Sequence, residues 1–94
     1  MADPLPQPDR DRLAETHPGW SLTPGRDAIA REWRFADFGA AWAFLTRVAL
    51  LAERRDHHPE ISNTYNRVRL VLTTHDAGGL STRDLDFARA IDTF

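Results

Sequence analysis

The chain has 94 residues, 41% of them apolar, with 12 basic and 14 acidic side chains giving a net charge of −2. That describes one small globular domain burying roughly 60–65% of its unfolded surface, and it gives no electrostatic case for direct nucleic acid binding or for an anionic membrane surface. The absence of cysteine excludes disulfides and thiolate metal sites. No apolar run reaches the ~20 residues of a membrane span and no hydrophobic leader opens the chain, so the expected compartment is the cytoplasm.

Residues 1–8 carry Pro4, Pro6 and Pro8 and read as a flexible lead-in to a single domain over 9–94. Asp9 is placed to cap a short helix running to about Thr16, which the His17-Pro18-Gly19 turn ends, with His17 read as a solvated turn residue. A hairpin follows. Pro24-Gly25 suits a type II turn, and in the second arm Ile29, Arg31, Trp33 and Phe35 share one face, an alternation imperfect at Arg31.

Asp37 then caps a long helix from Phe38 to about Arg55. Phe38, Ala41, Trp42, Leu45, Val48, Ala49 and Ala52 form a stripe at helical spacing, and Phe44 and Leu51 widen it beyond what one buried face needs. The excess predicts either a deep groove within the chain or a second face covered by another subunit. The helix ends at Asp56-His57-His58, because Pro59 pushes His58 toward extended geometry. Two strands follow, "EISNTYN" and "RVRLVLTTH", joined near Asn66; Val68, Leu70, Leu72 and Thr74 share one face of the second. After the "DAGG" loop, Ser81 opens a final helix with Asp84 in a weak form of the capping box. The pattern α-β-β-α-β-β-α predicts an α+β fold: a four-stranded antiparallel sheet covered on one face by helices.

Three of the four histidines, His57, His58 and His75, fall in one helix–strand–strand unit whose ends converge at an edge of the sheet. Glu53 lies one turn before His57, Asp56 is adjacent, and Thr73 shares the strand face of His75. Imidazole gives and takes protons near neutrality, so two histidines on different elements suit general acid–base catalysis. A second reading is a zinc site, which neighbouring residues of an extended segment, pointing opposite ways, serve poorly. A third is structural: imidazoles near a helix C-terminus complement its dipole.

Taken together, "RVALLAERRDHHPE", "YNRVRLVLTTHDAGGLSTRD" and the Trp33-Arg34-Phe35-Ala36-Asp37-Phe38 run resemble the pterin-4a-carbinolamine dehydratase family, over about Trp20 to Ile91. The ordered string is Glu53, His57-His58-Pro59, Tyr65, Thr74-His75, then Gly79-Leu80-Ser81-Thr82-Arg83-Asp84. The resemblance implies a four-stranded antiparallel sheet with helices on one face, assembled as a homodimer or homotetramer. It implies dehydration of 4a-hydroxytetrahydrobiopterin to quinonoid dihydropterin, recycling the cofactor of aromatic amino acid hydroxylases. His57 and His75 would be the acid–base pair and His58 would orient the pterin. Asp84 and Glu53 would support the histidines, with a helix cap as the other reading of Asp84, while Asp56, Trp20, Pro59, Thr73 and Thr74 would contribute to the pocket. No metal or organic cofactor is implied. Some relatives act instead as dimerisation or assembly factors, the alternative use of such a fold. The sequence departs from the family at Ile61-Ser62, where an aromatic pair is common.

Overall fold

The computed structural model describes residues 2–94. Strands β1 (Ser21–Leu22), β2 (Ile29–Arg34), β3 (Glu60–Thr64) and β4 (Arg67–Leu72) form one antiparallel sheet in the order β1-β2-β4-β3. The two expected hairpins meet along β2 and β4, in a register that sets Ile29 opposite Leu72, Arg31 opposite Leu70 and Trp33 opposite Val68. The longest helices, α3 (Phe38–Arg55) and α4 (Thr82–Ile91), bury their apolar sides in one cluster with Val68, Leu70 and Leu72 of β4. The α+β architecture with helices on one face is therefore as expected.

Local chemistry accounts for the element ends. Gly25 has φ 78°, which the third position of the Pro24-Gly25 turn requires and a side chain would resist. The Asp37 carboxylate accepts the Ala40 N–H at 2.8 Å, capping α3. At the other end Asp56 adopts the left-handed conformation (φ 49°) and turns the chain out of the helix ahead of Pro59. Arg31, the irregular position of β2, lays its stem on the core face. Its guanidinium reaches Asp92 at 3.0 Å and lies over the Trp33 ring at 5.1 Å.

The structure differs from expectation in four places. The expected loose lead-in over residues 1–8, of which Met1 lies outside the described residues, is not loose throughout: Leu5 is buried and its N–H donates to the Leu80 carbonyl at 2.7 Å. The first helix begins earlier than Asp9 and is broken in two, α1 (Gln7–Asp11) and α2 (Leu13–Thr16), with Pro8 in the first turn, where its missing N–H costs nothing. His17 is buried, its ring bonded to Thr16 Oγ1 at 2.8 Å and to the Leu85 carbonyl at 3.1 Å, so it joins α2 to α4. Finally, α3 is rotated about its axis relative to the predicted stripe. Ala41, Leu45, Val48, Leu51 and Ala52 are buried and Phe44 half-buried, whereas Phe38, Trp42, Ala49 and Leu50 face outward. A helix apolar nearly all round leaves periodicity no means of choosing its inner face; packing against Trp33 and Phe35 draws Phe44 inward, with ring centroids 4.8 and 5.1 Å away.

Since Leu5 fills part of the core, Leu5→Ala is expected to lower the unfolding free energy by about 2–4 kcal/mol in urea titration, far more than a truncation on a frayed terminus would.

Candidate active site

Three elements deliver polar side chains to one end of the sheet. The left-handed turn at Asp56 sends His57 inward and His58 outward. Beyond β4 the chain enters a single 3-10 turn, His75–Ala77, so His75 stands on a loop rather than at a strand end. Mutual backbone bonds close that loop, Thr74 N–H to Gly79 O at 2.9 Å and Gly79 N–H to Thr74 O at 3.2 Å. Helix α4 starts directly after it.

The Asp84 carboxylate is where these elements meet. It is fully buried and takes three hydrogen bonds: from the Ser81 N–H at 3.0 Å, from Thr74 Oγ1 at 2.7 Å, and with His57 Nε2 at 2.6 Å. The first belongs to the capping box of α4, completed by Ser81. Thr74 spends its only proton on Asp84, so the 2.6 Å contact between Thr74 Oγ1 and Ser81 Oγ is made by the Ser81 hydroxyl donating. Asp84 is thus both helix cap and histidine partner. A carboxylate acceptor fixes the proton of His57 on Nε2, leaving Nδ1 with a lone pair. Nδ1 has no protein partner, yet among the described residues no sealed side-chain nitrogen or oxygen lacks one; Nδ1 therefore faces accessible space.

His57 lines a cleft of about 370 Å³ together with Asp56, His58, Thr73, Thr74 and His75, and with Glu60, Asp76 and Arg83. Six of the residues singled out in the sequence meet there. The other four take different places. Asp84 lies beneath the floor, behind His57 and Thr74. Glu53 sits outside, exposed, 3.4 Å from His58 Nε2 rather than beside His57. Pro59 shapes the chain between His58 and Glu60 without lining the space. Trp20 is a core residue, edge-on to Trp33 at 5.6 Å and donating its indole N–H to Asp92 at 3.0 Å, so it does not wall the cleft.

Glu60, Asp76 and Arg83 were not singled out by sequence reasoning. Arg83 donates to the Asp56 carbonyl at 2.9 Å, tying α4 to the turn after α3. Its signal was its place in the "GLSTRD" string, while Glu60 and Asp76 carried no more than adjacency to Pro59 and His75. Glu60 is held by Arg26 through two bonds, 2.9 and 2.7 Å, and these keep its carboxyl below the ordinary range. Ile61 and Ser62 lie away from the cleft. Ile61 borders an apolar groove of about 420 Å³ with Trp42, Leu45, Ala49 and Leu50, and Ser62 lies among Glu32, Arg67 and Arg69. Among the described residues, no group of three or more His, Asp or Glu is arranged to hold a metal ion.

Comparison with known proteins adds four findings. Residues 3–94 match the family model "Pterin 4 alpha carbinolamine dehydratase". Proteins provisionally named pterin-4-alpha-carbinolamine dehydratases are 56% identical in Rhizorhabdus wittichii (96% of this chain, 93% of that one) and 55% identical in Synechococcus sp. WH7803 (98% and 97%). The crystal structure of a transcriptional coactivator/pterin dehydratase from Brucella melitensis superposes with a TM-score of 0.91 at 37% identity, covering 97% of both chains. A pterin dehydratase-like protein described as a RuBisCO assembly factor of the alpha-carboxysome shares the fold, with a TM-score of 0.69 at 22% identity over 84% of this chain and 92% of that one.

If Asp84 serves three partners, Asp84→Ala will cost about 3–5 kcal/mol in chemical unfolding, the loss seen when a buried pair is broken. Removing the cap hydroxyl alone, in Ser81→Ala, will cost about 1–2 kcal/mol.

Proposed function

The chain belongs to the pterin 4 alpha carbinolamine dehydratase family, and from the chemistry of its cleft we propose that it dehydrates 4a-hydroxytetrahydrobiopterin to quinonoid dihydropterin. The observation that carries the reading is the state of His57: Nε2 held on buried Asp84, Nδ1 open, and His75 lining the same cleft.

The reaction breaks the C4a–O bond and the N5–H bond and forms the N5=C4a double bond. One imidazolium gives its proton to the departing hydroxyl, which leaves as water. The other imidazole takes the N5 proton, and the electron pair left on N5 closes the double bond. His57 and His75 are this pair, contributed by different elements, and solvent returns them to their starting states. Asp84 holds the His57 ring through Nε2 and so aims its free nitrogen. His58, at the rim with Glu53, orients the pterin, and the polar walls from Asp56, Thr73, Thr74 and Arg83 suit a ring edged with donors and acceptors. The reaction so described needs neither metal nor organic cofactor. It recycles the pterin of an aromatic amino acid hydroxylase, in keeping with a cytoplasmic protein; no helix among the described residues is long and apolar enough to cross a membrane.

The assembly belonging to this reading is a homodimer or homotetramer. Trp42, Leu50 and Ile61 stand exposed around the apolar groove, and strand β3 forms an unpaired edge of the sheet beside it. The same outward face favours one second reading, a protein-interaction or assembly role on this fold.

Generating the carbinolamine with a hydroxylase and following its loss tests the chemistry. Wild type should exceed the buffer rate, with His57→Ala and His75→Ala each losing about 10²–10⁴-fold in kcat, and a wild type no faster than buffer sinks the reading. Sedimentation tests the assembly: Trp42→Asp is expected to release monomers while leaving the fold intact by circular dichroism.

A further inference from the structure

The loop that carries His75, residues 73–80, is fastened on two sides. On its inner side Thr74 is bound to Asp84 and Ser81, within the network that holds His57. On its outer side one residue outside the cleft grips both ends. The Asp27 carbonyl accepts Thr73 Oγ1 at 2.8 Å, and its carboxylate Oδ2 accepts the Leu80 N–H at 3.1 Å. The other carboxylate oxygen is bonded to the Arg10 guanidinium. Arg10 also donates through Nε to the Leu5 carbonyl at 3.1 Å, and Leu5 in turn donates to Leu80.

Gly79 fits the same arrangement. Its backbone lies outside the left-handed region, so no torsion demands glycine there, yet a Cβ would overlap the Asp27 carboxylate. The missing side chain is the space Asp27 occupies. Among the described residues the exposed His75 imidazole makes no hydrogen bond to the protein, and its backbone belongs to this loop.

We propose that Asp27 is a positioning residue for His75, clamping residues 73–80 so that the imidazole stands at the cleft opposite His57. The proposal rests on the reading of these histidines as an acid–base pair. Arg10, the largest influence on Asp27, keeps its carboxyl below the ordinary range. The clamp is therefore charged at neutral pH and loosens only in acid, below the ordinary carboxylate range.

The test compares Asp27→Ala, Asp27→Asn, Gly79→Ala and the Asp27→Ala/Gly79→Ala double variant, with kcat normalised to the folded fraction by circular dichroism. Misplacing a catalytic group by about 1 Å costs on the order of 10²-fold, so Asp27→Ala should lose about tenfold or more in kcat, with KM changed by less than about twofold. Asp27→Asn, which keeps an oxygen for the Leu80 N–H, should recover most of that loss. Gly79→Ala should reproduce it in the wild-type background and cost clearly less in the Asp27→Ala background, where the carboxylate is gone and only the Cβ of residue 27, 2.9 Å from the added methyl, still crowds it. In imidazole NMR spectra the His75 resonances of Asp27→Ala should move or broaden while those of His57 stay.

An unchanged normalised kcat, additive Gly79→Ala and Asp27→Ala losses, or undisturbed His75 resonances would overturn the proposal. A wild type without dehydratase activity would instead remove the functional reading, and the imidazole spectra would then decide the clamp alone.

Discussion

A buried carboxylate is costly unless donors surround it, and Asp84 is surrounded by three from three separate segments. Satisfying it requires that the end of α3, the loop after β4 and the first turn of α4 all be in place together. None of these segments is held to the others by extensive backbone pairing at that point. They converge on one buried carboxyl whose partners cannot be removed without leaving it stranded, and the Arg83–Asp56 bond adds a second tie between α4 and the end of α3. The position of the cleft, the tautomer of His57 and the start of α4 all follow from the same carboxylate.

The opposite end of the sheet is organised differently. There Trp20 meets Trp33 edge to face, Phe44 packs at tilted angles on Trp33 and Phe35, and Phe94 lies edge to face beyond Phe44. Asp92, just past α4, binds the Trp20 indole and the Arg31 guanidinium. Helix α4 is thus anchored at its start by a polar network and at its finish by an aromatic one. A helix of ten residues fastened at both ends has little freedom to slide, and this suits an element whose first turn holds the partner of His57.

Much of this was legible where a single residue acts on its own backbone. Pro24-Gly25 marked the first turn, Asp37 the start of α3, Pro59 the parting of His57 from His58, and Ser81 with Asp84 the last cap. What escaped was decided by contacts distant in sequence. Asp27 follows a turn and looks like a turn residue until Leu80, 53 positions later, is seen to donate to it. His17 reads as solvated beside proline and glycine, yet Leu85 lies against it. Trp20 has equal claims to a core and to a pocket wall, and only the position of Asp92 separates them. Leu5 is a lone leucine among prolines, and no local pattern could announce its burial. In α3 the neighbours Leu50 and Leu51 offered two apolar faces, and the sheet took one of them.

The outward face of α3 has an optical consequence. Of the three tryptophans, Trp20 is buried and Trp33 half-buried against other rings, while Trp42 is 57% exposed on that face. Indole emission lies further to the red in water than in an apolar setting. The molecule therefore carries its own dye beside an apolar groove, and whatever covers that surface will shift the light it emits toward the blue.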